Sequence, residues 1–230
     1  MNVFLYNLAT GECRKLPPSI LPLTEPPCEP YSYDSCRDTL GFGYDANSRD
    51  FKVVRVVHVW EMFGFFLYMR MEIYDLSKDR WREIEAPDND SYASITWMPW
   101  SELYHEGTYY WYSHRETNDM TNGEALQSFD MGKKVFSRIL LPESFNIKEE
   151  GWEKRRSFGI LNGSIVVFHY LAEMIEKIFD VWEMRKEAET DVVLWSKLLT
   201  IGPVFGIDKP LLFLSSYEVL MEDNEGRDVV

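Results

Sequence analysis

Apolar and polar residues alternate along this chain in short runs, and one template of them recurs. IYDLSKDRWREI reads as a strand over Ile73 to Leu76, a polar turn over Ser77 to Asp79 and a second strand over Arg80 to Ile84. The template stands earlier as LYNLATGECRKLP, from Leu5, and later as SFDMGKKVFSRILLP, from Ser128. Each copy opens with an aromatic, followed two places on by a large apolar residue: Tyr6 and Leu8, Tyr74 and Leu76, Phe129 and Met131. Seven places after the aromatic comes the anchor of the second strand, Cys13, Trp81 or Phe136. A hairpin repeated in register marks an architecture built from like units.

The segments between the copies also read as hairpins. LGFGYDANSRDFKVVRVVHVW turns between Asp45 and Asp50, with Gly41 and Gly43 as strand glycines that permit close packing. YHEGTYYWYSH turns at Glu106-Gly107, placing Tyr109 and Trp111 on one face and Tyr110 and Tyr112 on the other. FGILNGSIVVFHY carries Asn162-Gly163, a strong hairpin signal because both positions favour positive φ. IFDVWEM, from Ile178, and LWSKLLTI, from Leu194, complete that set, with Trp195 in the role of Trp81. The step from Trp182 to Trp195 is 13 residues, which implies a charged insertion of six in the turn. Leu171, Met174, Ile175, Ile178, Phe179 and Trp182 also fit a helical spacing. The repeat register favours a strand from Ile178, after a helical turn. KPLLFLSSYEVLMEDNEG opens a last hairpin, and six prolines between Pro17 and Pro30 mark an extended loop.

Three sets of four strands result, with half a set before and half after. The aromatic openings are 68 and 55 residues apart, near the roughly 50-residue period of kelch-type blades. The expected fold is all-β, a kelch-like β-propeller of four-stranded blades, with about three full blades and a half-blade at each end. A ring closed by sharing one blade between the termini is one reading. A fragment whose ends cut into blades is the favoured one.

Composition narrows the function. Of 230 residues, 45% are hydrophobic and 15% aromatic, enough for a core rich in strand formers. A formal charge of −14 disfavours nucleic acid and anionic membranes and attracts a basic protein. No apolar run reaches the ~18 residues of a transmembrane helix, and no signal core opens the chain. Cys13, Cys28 and Cys36 form no CxxC pair, which suits a reducing, cytoplasmic setting. Asn89-Asp90-Ser91 and Asn162-Gly163-Ser164 match the glycosylation sequon, a pattern short enough to arise by chance.

Chemistry-bearing motifs are missing. His58, His105, His114 and His169 have no metal-ligand spacing, so neither a metal nor a cofactor is expected. There is no GxSxG elbow and no phosphate loop. Tyr109 to Tyr112 could stack a sugar, although their alternation points first to packing between sheets.

LYNLATGECRKLP, LGFGYDANSRDFKVVRV, EIYDLSKDRWREI, YHEGTYYWYSH, LQSFDMGKKVFSRILLP and WSKLLTIGPVFGIDKPLLF together resemble one family. It is the F-box-associated, kelch-like domain of plant F-box proteins, and the S-locus F-box branch in particular, including the pollen "S-locus F-box brothers". The likeness runs from Leu5 to about Glu222, so residues 1–230 read as one such domain.

The resemblance implies a substrate receptor within a Skp–cullin–F-box ubiquitin ligase, with no catalytic residues of its own. The implied substrates in pollen are non-self pistil S-RNases, which are often basic. No F-box precedes Leu5, so the Skp-type adaptor and cullin would be met only through a longer parent protein. Specificity in the family lies in variable surface loops. The acidic loop residues Asp88, Asp90, Asp119, Glu149, Glu150, Glu187 and Asp191 are therefore the expected contacts with a basic partner. Other protein substrates, in defence or hormone signalling, and a glycan remain alternatives.

Overall fold

The computed structural model describes residues 2–21, 35–60, 66–86, 95–115, 124–142, 145, 154–187 and 192–230. Among them the chain forms strands joined by turns and no α-helix. Strands β1 (Phe4–Tyr6) and β2 (Cys13–Lys15) make an isolated pair. A four-stranded sheet follows, of β3 (Ser35–Asp45), β4 (Asp50–Trp60), β5 (Phe66–Asp75) and β6 (Arg80–Ile84). The next holds β7 (Ile95–His105), β8 (Thr108–Arg115), β9 (Glu124–Asp130) and β10 (Val135–Leu140). Another holds β11 (Lys154–Leu161), β12 (Ser164–Leu171), β13 (Glu176–Lys186) and β14 (Val193–Phe205). A three-stranded sheet of β15 (Ile207–Phe213), β16 (Val219–Asp223) and β17 (Asp228–Val229) ends the chain. In each sheet spatial order follows chain order, so every sheet is a meander. The expected last hairpin gains a short third strand.

The chain groups into two compact units, and the β7–β10 sheet contributes to both. In the first unit Leu16, Val53, Tyr74 and Trp81 form a buried cluster between the β1–β2 pair and the β3–β6 sheet. Among the described residues of the second unit, an apolar cluster lies on each face of the β11–β14 sheet. Phe168, Phe179 and Val181 meet Met221 of the last sheet, while Ile165 and Val167 pack with Leu126, Leu141 and Phe145. Burial on both faces explains the valine-rich strands: Val53, Val54, Val56 and Val57 are all buried.

The repeated template has a cross-strand basis. Tyr6 pairs with Cys13 and Tyr74 with Trp81. The Tyr74 and Trp81 rings lie 5.3 Å apart, and Phe129 and Phe136 lie 5.0 Å apart. In the β11–β14 sheet Trp195 stands opposite Met184, eleven places earlier, while Trp182 faces Lys197. The insertion is therefore four residues rather than six, because the register takes Met184 as the partner. The Glu106-Gly107 and Asn162-Gly163 turns hold both residues at positive φ, 45° with 81° and 52° with 82°. A Cβ on Gly163 would meet nothing within 4 Å, so that glycine answers to backbone conformation, not to space.

The helical alternative for residues 171–182 gives way to a turn and a strand beginning at Glu176. Strand alternation decides it: Lys177, Phe179 and Val181 are buried, whereas Glu176 and Ile178 are exposed. No helical turn precedes the strand.

Two straps close the cores. After β2 the chain runs over the next sheet from buried Leu16 to buried Leu21. The Trp81 indole N–H donates to the Pro17 carbonyl at 2.9 Å, and Arg55 donates to the Leu21 carbonyl at 3.2 Å. Arg55 also pairs with Glu72 at 2.8 Å, both fully buried. Glu72 in turn accepts the backbone N–H groups of Ile20 and Leu21 and the Ser19 hydroxyl. The second strap, after β10, repeats the plan. Trp195 donates to the Leu140 carbonyl at 2.8 Å, and Arg156 donates to the Phe145 carbonyl at 3.2 Å. Arg156 forks onto Glu124 at 2.9 and 3.0 Å and lies over the Phe145 ring. A fully desolvated ion pair tolerates loss of one member poorly, because the other charge is stranded.

Glu72→Ala is accordingly expected to destabilise the chain by ~3–5 kcal/mol. Glu83→Ala, which removes the exposed partner of Arg70, should cost less than ~1 kcal/mol. Urea unfolding followed by tryptophan fluorescence measures both, and equal losses would contradict the assignment.

Candidate protein-binding surface

Of the seven acidic residues expected to meet a partner, Glu187 is described. It is exposed in the β13–β14 connection, and its backbone N–H is tied to the Val192 carbonyl at 2.9 Å. Asp88, Asp90, Asp119, Glu149, Glu150 and Asp191 lie outside the described residues.

Among the described residues, acidic side chains converge in a buried cluster around Lys52. The Lys52 ammonium donates to Asp75 and lies 3.6 Å from both Asp45 and Asp50. Asp45 caps its own turn, accepting from the Asn47 N–H at 2.9 Å and the Ser48 hydroxyl at 2.6 Å. Asp50 accepts from the N–H and hydroxyl of Ser77, so the cluster fastens the β3–β4 turn to the β5–β6 turn. Burial alone would raise the Asp75 pKa, but hydrogen bonds from Lys52 and Arg82 outweigh it and hold the carboxyl below its usual value. At Asp45, too, burial is overcome, by Ser48, Asn47 and Lys52. Tyr74 is pushed up to about 12 by burial and by its hydrogen bond to Asp79.

The aromatic run offers no platform for a sugar. Trp111 is fully buried and Tyr109 nearly so. Tyr112 is partly covered, and burial followed by the nearby Glu124 carboxylate raises its pKa. Tyr110 and Tyr112 pack instead against the cluster of Leu126, Phe145 and Ile165. Among the described residues no group of three or more His, Cys, Asp or Glu could hold a metal ion. No helix among them is long and apolar enough to cross a membrane.

Some apolar side chains are exposed as well. A cavity of about 480 Å³ lies between β14 and the last sheet, lined in part by Ile201, Pro203, Phe205, Val219 and Val229. Ile175, Ile178 and Phe205 stand exposed at one end of the β11–β14 sheet. The repeat register favoured a strand from Ile178, as found, but it did not foretell that Ile175 and Ile178 stand exposed. The sign was an apolar Met174-Ile175 pair inside a turn between strands, where polar residues are the rule.

Repeated four-stranded meanders with apolar cores between sheets define the chain as a β-propeller type of protein. The F-box associated beta propeller domain matches residues 3–230, so the chain belongs to that family. It is 23% identical to the F-box protein CPR1 of Arabidopsis thaliana over 96% of this chain and 54% of that protein. It is 27% identical to the F-box/kelch-repeat protein At3g23880 of the same plant, over 85% of this chain and 48% of that protein. A third relative, the F-box/kelch-repeat protein At3g17530 of Arabidopsis thaliana, is 24% identical over 96% of this chain and 52% of that protein. The chain spans about half the length of these relatives.

The aspartates around Lys52 make stability depend on acid. Asp45 and Asp75 are held below the unfolded value of 3.8. The stability they contribute is complete above that pH and is lost as pH falls through their folded values. Lys52→Met leaves the buried carboxylates without their shared cation and is expected to cost ~3–5 kcal/mol at neutral pH. It should also move the acid-unfolding midpoint upward. Circular dichroism against pH reads both; an unchanged midpoint would show that Lys52 does not hold the cluster.

Proposed function

We propose that this chain is the substrate-recognition part of an SCF-type E3 ubiquitin ligase F-box protein. The observation that carries the reading is the family match over residues 3–230. The chain binds a protein and does no bond-making chemistry of its own. Contacts with a Skp-type adaptor and a cullin fall to the F-box of the longer protein, and the setting is the cytoplasm.

The favoured substrate is a basic protein, namely a pistil S-RNase met in the pollen tube. Two features support it: the likeness of the sequence segments to S-locus F-box proteins, and the formal charge of −14, which steers a cationic partner inward. The acidic residues Asp88, Asp90, Asp119, Glu149, Glu150, Glu187 and Asp191 are the proposed rim of that encounter. A second reading keeps the receptor role and changes the substrate, to a regulator in defence or hormone signalling. It is supported by the spread of relatives across differently named F-box proteins.

The full-length protein, immobilised and exposed to pistil extract, should retain S-RNase at low ionic strength and release it as salt is raised. If no ribonuclease is retained at low salt, the S-RNase assignment falls and another substrate must be sought.

A further inference from the structure

The Asn162-Gly163 turn between β11 and β12 carries a chemistry that its place in the fold does not use. Asparagine is a thermolabile residue, because the main-chain nitrogen that follows it can close a five-membered ring onto its carboxamide. A side chain on the following residue hinders that closure, and glycine has none. Most asparagines of this chain precede a bulky or charged residue, whereas Asn162 precedes Gly163. Both turn residues are exposed. The β11–β12 ladder ends at the pair of Leu161 and Ser164, so the Asn162-Gly163 peptide lies outside it. Space is open as well: a Cβ placed on Gly163 would meet nothing within 4 Å.

A second element supplies an activating group. Ser216 lies in the loop between β15 and β16, where the Leu214 N–H donates to the Glu218 carbonyl at 2.9 Å. The Ser216 hydroxyl donates to Asn162 Oδ1 at 2.7 Å. That hydrogen bond draws electron density from the carboxamide carbon, and it strengthens as negative charge grows on the oxygen. Asn7 shows what is needed besides. Its Oδ1 also has donors, the N–H groups of Ala9 and Thr10, but Leu8 follows it and shields the attacking nitrogen.

We propose that Asn162 is a site of spontaneous deamidation through a succinimide with Gly163, activated by the Ser216 hydroxyl. Solvent base removes the Gly163 amide proton, and the nitrogen attacks Asn162 Cγ. The bond formed joins Gly163 N to Cγ. The bond broken is Cγ to Nδ2, and the departing nitrogen takes a proton from solvent and leaves as ammonia. Water then opens the ring, at Cγ to give aspartate or at the main-chain carbonyl to give isoaspartate. Nothing is oxidised or reduced. Both products set a carboxylate at this end of the sheet, and isoaspartate adds a backbone carbon that a two-residue turn cannot absorb in register. The assignment is independent of the receptor reading.

The 230-residue chain is held folded in mildly alkaline buffer and sampled over time. Trypsin places Asn162 in peptide 157–177, and the other Asn-Gly pair, Asn122-Gly123 (outside the described residues), in peptide 116–133. Mass spectrometry counts amide against acid in each, and chromatography separates aspartate from isoaspartate. Peptide 157–177 should accumulate both acids, and Asn162→Gln should accumulate neither. Ser216→Ala should slow the folded chain about three- to tenfold, the worth of one hydrogen bond. In urea the contact is gone, so wild type and Ser216→Ala should react at one rate. An Asn162 that stays amide in the folded chain overturns the proposal. So does a folded Ser216→Ala rate equal to or above that of wild type, or a difference that survives in urea. Aspartate without isoaspartate would mean direct hydrolysis and overturns it equally.

Discussion

A four-stranded meander that is apolar on both faces cannot stand by itself, and this structure follows from covering those faces. In the β3–β6 sheet Val53, Val54, Val56 and Val57 are buried although successive residues point to opposite sides. Each such sheet needs a neighbour on either side. The chain supplies neighbours in sequence by repeating one hairpin template. The effect of incomplete cover is visible beside the two-stranded first pair. Tyr74 and Trp81 are buried under it, whereas the clustered rings of Phe42, Tyr44 and Phe51 on β3 and β4 stay 37–44% exposed.

Covering a face with another sheet leaves the connecting chain to be placed, and the two straps do that with polar chemistry. Backbone that crosses an apolar face carries N–H and C=O groups that need partners. Arg55 with Glu72, and Arg156 with Glu124, bring such partners into the interior as ion pairs, so no charge is left alone. The two devices reach the same end from different strands. Arg55 and Glu72 face each other on β4 and β5, whereas Arg156 on β11 reaches back to Glu124 on β9. Such repetition by different residues is expected where the constraint is geometric and not tied to one motif.

Much of the fold was legible because cross-strand anchors leave a fixed spacing in the sequence. Tyr74 and Trp81 are seven apart because a short turn puts them opposite one another. Spacing failed where the turn lengthened: Trp195 took Met184 as its partner, and two nearby tryptophans concealed this. The helical spacing over residues 171–182 competed with the strand that the repeat register favoured, for another reason. It mixed buried Phe179 with exposed Ile175 and Ile178, and residue type alone does not tell which apolar residues are covered. The candidate surface was the least legible part. Charge singled out acidic loops, of which Glu187 alone is described, while residue type gave no sign that Ile175 and Phe205 stand uncovered.

The central claim is that mutual covering of sheet faces holds the fold together, and native-state hydrogen exchange tests it most directly. Amides of β4 and β12, whose neighbours lie on both sides, should exchange only on global unfolding. Those of β1, β2 and β17 should open earlier, by local events. Uniform protection through all sheets, or β1 and β2 as slow as β4, would contradict the account.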